Sequence, residues 1–458
     1  MATTLQFASE ATFEAPPVSA SVDIMARIYF ASFWAILLTG AIRKWLAPGT
    51  AILYLLQDVP IGAAYLYGLW KGLFDRGYLF LGIILLSTII LLQGLTQIVI
   101  SGLDVFVAFV GFHNYLFYLP MLLVFPLCLT EKHRRDFVRC NLFVSIPMCL
   151  LAIVQALSPR SAFINQSTGG DAFGVPGADI ARVTGTFNFV AFYNIWVGIA
   201  VALCMGEWLL PKARRAVSNQ WLLLLCTFTV NLCHLVSASR GAIMLAGVGV
   251  LGGMVGAILL GSNRAMLAIG GICVLLPVAA GMTYVISPTE FNIVVDRFTG
   301  ESRGESDLPD RVLQGLIGFA TVPKFSLIGA GIGMGVDAAH LGDANAYNFT
   351  YDLSEQDTVR NVMELGTPVG LLYVLARLGF IYGMLFLSIR MVRKGTSPHL
   401  LPLSFVLLAS TYQDLTRNAT MTATQSMIGY AFILGAYYYP DAITNPNSGD
   451  GESLMRSA

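Results

Sequence analysis

Apolar runs close to the length that crosses a lipid hydrocarbon core recur along this whole chain, and no other feature limits its fold as strictly. Spanning that core takes a helix of about 20 apolar residues. Between lipid tails every backbone N–H and C=O has to be satisfied within the chain, so runs of this kind predict helices. Composition agrees, because 56% of the 458 residues are hydrophobic, 12% are charged and the mean hydropathy is +0.69. A soluble domain carries roughly 25% charged residues. Lys plus Arg and Asp plus Glu balance at 27 each, so bulk charge argues neither for nucleic acid nor for a polyacidic partner.

Apolar runs between charge clusters place about twelve spans, near 28–42, 50–70, 78–99, 104–129, 139–157, 188–210, 219–237, 241–260, 265–286, 362–389, 400–412 and 420–439. The expected fold is all-α, a polytopic transmembrane helical bundle with one long loop, 287–361, between spans 9 and 10. Residues 1–27, with Glu10, Glu14 and Asp23, lack the basic start and apolar centre of a secretory signal and are expected to form a cytoplasmic tail. Residues 28–440 form the membrane domain, and the polar stretch 441–458 is expected to be a disordered cytoplasmic tail. The seven cysteines lie in or beside apolar runs without CxxC spacing and are expected to be buried small hydrophobes.

Basic residues cluster in alternate loops: Lys71 and Arg76; Lys132, Arg134 and Arg135; Lys212, Arg214 and Arg215; Arg264; and Arg390, Arg393 and Lys394. The Lys/Arg bias places such loops in the cytoplasm, which puts 287–361 on the outer side and both termini inside. A loop of that length without regular structure is unusual. Pro309-Asp310 followed by Val312, Leu313, Leu316 and Phe319 predicts an amphipathic helix over 310–321, lying on the membrane surface.

The outer half holds arginines that the loop bias leaves unexplained: Arg43 with Lys44, Arg182, Arg240, Arg297, Arg303, Arg311, Arg360 and Arg417. Any one of them is accounted for by an arginine snorkelling to headgroups. As a set they point to a shared anionic ligand. Ser237-Ala238-Ser239-Arg240-Gly241 forms a tight turn whose hydroxyls, guanidinium and helix amides suit a phosphate. Arg182-Val183-Thr184-Gly185-Thr186 repeats that chemistry, although Thr186 or Asn188 also serves as a helix cap there. In Glu355-Gln356-Asp357-Thr358-Val359-Arg360, a carboxylate base stands beside a phosphate-holding arginine. Arg360 and Glu364, one turn apart, equally suit a plain i,i+4 ion pair.

Gly329-Ala330-Gly331-Ile332-Gly333 lacks GxGxxG spacing and follows no βαβ pattern, so nucleotide binding is rejected in favour of an anion nest or close packing on the membrane. The five histidines show no metal-ligand spacing, and only His340, in the long loop, is a candidate base. The residues imply no cofactor and no metal.

Taken in order, the Ser239-Arg240-Gly241 turn, the Arg182-Val183-Thr184-Gly185 entrance, the glycine-rich loop, and Arg360…Glu364-Leu365-Gly366 resemble the O-antigen ligase and polymerase superfamily. The resemblance covers most of the chain. It implies a metal-independent glycosyltransferase acting on an undecaprenyl-pyrophosphate-linked glycan donor and a glycan acceptor at the outer face of a bacterial inner membrane. Membrane lipids, a chain-length regulator and a flippase are the expected partners. By motif position Arg182, Arg240 and Arg360 would hold the pyrophosphate; the residues themselves add Arg43, Lys44, Arg311 and His340 as candidate further contacts and Glu355, Asp357 and Glu364 as candidate catalytic carboxylates. Ligases of that superfamily carry a histidine before the Glu-Leu-Gly entrance. This chain has none there, which favours a polymerase of exopolysaccharide, capsule or O-antigen type over a ligase. A transporter or flippase of an anionic lipid or solute is the competing class, supported best by Arg377 deep in an apolar span.

Overall fold

The computed structural model describes residues 20–48, 50–168, 172, 174, 181–237, 239–261, 263–286, 288–299, 318–320, 327–336, 342, 357–412 and 419–440. Among these the chain is helical, and its β character is confined to one bridge between Gly174 and Ala181. The helices are α1 (Ala20–Ala41), α2 (Asp58–Lys71), α3 (Tyr78–Ser101), α4 (Val105–Leu116), α5 (Met121–Val124), α6 (Glu131–Leu157), α7 (Val190–Leu209) and α8 (Gln220–Val236). They continue with α9 (Arg240–Leu259), α10 (Asn263–Ile286), α11 (Pro288–Thr299), α12 (Asp357–Leu365), α13 (Thr367–Arg393), α14 (Leu400–Tyr412) and α15 (Ala419–Tyr438).

Seven helical segments among the described residues are long and apolar enough to cross a membrane: Ala20–Leu46, Tyr78–Ser101, Val105–Cys128, Glu131–Leu157, Val190–Leu209, Arg240–Leu259 and Thr367–Arg393. That is fewer than the twelve expected from apolar runs. Helices α2 and α8 have 14 and 17 residues, and the apolar part of α14 is Leu400–Ser410. Leu66, Leu69 and Trp70 of α2 and Trp221 of α8 are exposed, so length, not burial, separates these short helices from the seven.

Helix α7 is the pole of the bundle, buried along its whole length. Hydrophobic residues on every side of it match that position. It packs on α9 and α14, and glycines make the approach close. A Cβ at Gly252 would stand 2.7 Å from the Pro402 Cα, and one at Gly253 would stand 3.0 Å from the Met205 Cβ. Small residues at such crossings are the usual means of helix association where no hydrophobic force separates protein from lipid. Helices α3 and α13 instead leave most of their surface uncovered, with Leu81, Leu85, Leu375 and Phe386 exposed.

Four of the basic loops meet at one end of the bundle. Arg135 and Arg139 donate to the carbonyls of Arg214 (2.6 Å) and Ala216 (3.0 Å). Arg134 reaches the Tyr439 carbonyl at 2.6 Å, and Tyr438 donates to Asp75 at 2.6 Å. The buried Glu207 bonds His399 at 3.0 Å and receives the Val217 N–H. At the same end Asp23 contacts His133 at 3.2 Å. Residues 20–27 of the tail expected over 1–27 belong instead to the first helix. The first helix starts at Ala20 because Val22, Met25 and Ala26 are buried in the core and Asp23 has a partner. Following the helices away from this basic end places Arg43, Lys44, Arg182, Arg240 and Glu364 together at the opposite end.

The expectations for the loop 287–361 and for the span 362–389 are both corrected. The loop opens as helix α11, immediately after α10. Its glycine-rich part, 327–336, packs against α3, α4 and α12, where Gly111 meets Gly333 with room for no Cβ on either residue. The expected span 362–389 is broken at Gly366, whose φ of 79° suits glycine. Only 318–320 of the expected helix 310–321 falls within the described residues. Both ends of the chain, 1–19 and 441–458, lie outside them, as do Arg303, Arg311, His340, Glu355 and Arg417.

Candidate active site

Gly366 turns the chain through a hairpin. Asp357 pairs with Arg377, Tyr115 bonds Asn361 while its ring lies against Tyr373, and Gly370 admits the backbone of Val362. In each of these pairings one residue approaches the turn as the other leaves it, so α12 runs antiparallel to α13. Nine residues at about 1.5 Å each carry α12 roughly 13 Å along its neighbour. Its N-terminus thus stands level with the middle of α13, near Arg377. An unbroken span 362–389 would carry this segment into the bundle in the same direction as α13. The glycine hinge reverses that direction.

Two glutamines of α3 hold the hairpin and the glycine loop together. The fully buried Gln97 donates to the Ile328 carbonyl (2.5 Å) and the Glu364 carbonyl (2.7 Å), and accepts the Ile332 N–H (2.7 Å). Gln93 donates to Ile328 (2.7 Å) and Leu365 (2.8 Å). Carbonyls freed where a helix ends need such partners in an apolar setting. The loop also pairs directly with α12 through Ala330 N–H to Met363 and Gly331 N–H to Glu364.

The charges on this hairpin are mutually paired. Asp357 bridges two guanidiniums, hydrogen-bonding Arg360 through one oxygen and Arg377 at 2.6 Å through the other. Glu364 accepts the Gly335 N–H and the Tyr115 hydroxyl, both at 2.6 Å, while Arg360 lies 4.0 Å away. The expected Arg360–Glu364 pair is therefore present but long, and Asp357 is the nearer partner.

A cavity of about 320 Å³ opens beside these groups. Its polar wall carries Asp357, Arg360, Asn361, Glu364 and Arg377. Tyr115, Tyr118, Tyr373 and Tyr430 flank it, and Leu79, Ile83 and Leu86 of α3 make an apolar side. Helix α15 contributes Thr422, Ser426 and Met427, which accounts for polar residues in an otherwise apolar helix. Behind Tyr118, Asp58 accepts its hydroxyl at 2.7 Å and contacts His113 at 3.0 Å.

Among the described residues, the other expected ligands do not line this cavity. Lys44 is fully buried, and its ammonium donates to Thr184 Oγ1 (2.8 Å) and to the carbonyls of Gly185 (3.0 Å) and Phe187 (3.3 Å). It braces the segment that follows Arg182, helped by Gln155, which accepts the Gly185 N–H. Arg43 stacks over Tyr54 instead of joining it. Arg240 begins α9 and is buried, and the neighbouring Ser239 accepts a bond from Asn194 at 2.9 Å. Arg182 and Arg240 thus belong to the α7–α9 part of the same end, apart from the cavity lining.

Sequence reasoning passed over Gln93, Gln97, Asn361, Asn114 and the Asp58–His113 pair. Two glutamines four residues apart in LLQGLTQIVI were the available signal, because an amide inside an apolar span has to find a partner. No group of three or more His, Cys, Asp or Glu residues placed to hold a metal occurs among the described residues. No known family model matches the chain, and no curated protein sequence matches it.

Proposed function

We propose that this protein polymerises undecaprenyl-pyrophosphate-linked oligosaccharide repeat units into a surface polysaccharide at the outer face of a bacterial inner membrane. The observation that supports this reading best is the convergence of Arg360, Arg377, Asp357 and Glu364 on one tyrosine-flanked cavity beside a lipid-facing helix. A hydroxyl of the acceptor sugar attacks the anomeric carbon of the donor. A new C–O bond forms, the bond from that carbon to the pyrophosphate oxygen breaks, and the electron pair leaves with undecaprenyl pyrophosphate. Guanidiniums stabilise the leaving charge, with Arg182 and Arg240 guarding the approach from the same end. When the pyrophosphate occupies the guanidiniums, Asp357 is released to take the hydroxyl proton.

Lipid-linked oligosaccharides from a deletion strain and its parent test this reading. A polymerase leaves single repeat units accumulated on the outer leaflet. Long polymer in the deletion strain overturns it. One observation favours the transport alternative, namely that Arg377 sits midway along α13 and lines the cavity. Loss of a flippase traps the units on the inner leaflet, where externally added enzymes do not reach them.

A further inference from the structure

We infer that the wall of the cavity formed by Asn114, Asn361 and Thr422 binds an uncharged saccharide ring. This specifies the acceptor side of the glycosyl transfer proposed above and rests on that reading. Asn361 is almost wholly buried, and one atom of its amide stands 2.9 Å from the Tyr115 oxygen, whose proton goes to Glu364, while the other amide atom has no partner among the described residues. Neither amide atom of Asn114 nor the Thr422 hydroxyl has a partner among the described residues. All three residues line the same cavity. Buried amides left in this state cost stability unless a ligand or water completes them. Together they offer donors and acceptors in the mixture that vicinal hydroxyls require, whereas an anion site would offer donors alone.

Charge decides against an acidic sugar. The two guanidiniums and two carboxylates of the cavity balance one another. Once a donor pyrophosphate takes up Arg360 and Arg377, the carboxylates of Asp357 and Glu364 remain. A uronate carboxylate brought beside them meets like charge in a setting of low dielectric. The volume, about 320 Å³, lies at the small end of the roughly 300–1,000 Å³ range of ligand sites and suits ring-sized ligands better than an extended chain. Tyr373 and Tyr430, on α13 and α15, supply flat apolar faces for a ring.

The test uses the full chain, purified into nanodiscs, with saturation-transfer NMR on a panel of probes: the methyl glycosides of glucose, galactose and mannose, methyl glucuronide and inorganic pyrophosphate. At least one neutral glycoside is expected to bind and the glucuronide not to. Asn114→Ala and Thr422→Val remove side-chain groups that bond nothing among the described residues, so each is expected to fold. Each weakens the neutral glycoside about fivefold per lost hydrogen bond while leaving pyrophosphate binding unchanged. Binding of the glucuronide equal to or tighter than the neutral sugars overturns the inference, as does neutral binding indifferent to both variants or absent altogether. The readout is independent of polymerisation. Stalled single repeats in the deletion strain with no neutral binding would sink this inference alone, and neutral binding with polymer intact in that strain would sink the polymerase reading alone.

Discussion

Gln97→Met removes the clasp between the glycine loop and α12 while keeping a side chain of similar length. The Ile332 N–H loses the acceptor that Gln97 provides. Leaving a buried N–H unsatisfied costs about 1–3 kcal/mol. The Ile328 and Glu364 carbonyls lose less, because Gln93 and Gly331 still donate to them. Local opening of 327–336 is therefore expected to become easier by about 2–3 kcal/mol, which is roughly 30- to 150-fold in the opening constant. Amide hydrogen exchange on the protein in nanodiscs reads this directly at Ile332. Gln93→Met is the control, since its amide bonds only carbonyls and leaves the Ile332 bond intact. Protection at Ile332 that is unchanged in Gln97→Met, or lost equally in both variants, refutes the clasp.

Further outcomes follow from the same geometry. Lys44→Met is expected to lower the melting temperature in detergent markedly, because the Thr184 hydroxyl oxygen and the Phe187 carbonyl lose their donor and Gly185 keeps only Gln155, whereas Arg43→Met leaves it nearly unchanged; equal shifts would contradict the bracing role. Exchanging Arg360 with Glu364 should not restore polymer on gels, since the swap places a guanidinium where Gly335 N–H and Tyr115 require an acceptor; recovery would show a simple ion pair. Arg240→Lys is expected to lose most polymer at normal protein abundance, because a point donor replaces a fork; near-normal polymer would return Arg240 to a structural role. In intact cells an impermeant thiol reagent should label Gly102→Cys but not Arg214→Cys, and the reverse pattern would invert the topology.

Apolar length and basic clusters settle much of this protein before any tertiary contact is considered. The backbone must bond to itself in hydrocarbon, so the helical class follows from composition, and the helices agree with the runs to within a few residues at most ends. The alternation of Lys and Arg likewise anticipates which loops gather at one end, because it is a property of the chain in order and needs no packing. The candidate charges Asp357, Arg360 and Glu364 were visible for the same reason: charge stands out in an apolar chain. What they touch was not visible. A window of sequence sees Arg360 and Glu364 four residues apart, but that pair is stretched to 4.0 Å, and the glycine hinge at Gly366 brings Arg377 from 20 positions away to share Asp357 with Arg360. Gln97 gains its meaning from carbonyls more than 230 residues distant. Lys44 looked like a ligand contact until its ammonium found three oxygens of the 184–187 segment. Buried polar groups are satisfied wherever the fold brings a partner, so their roles are decided by proximity in space, which the tertiary structure alone supplies.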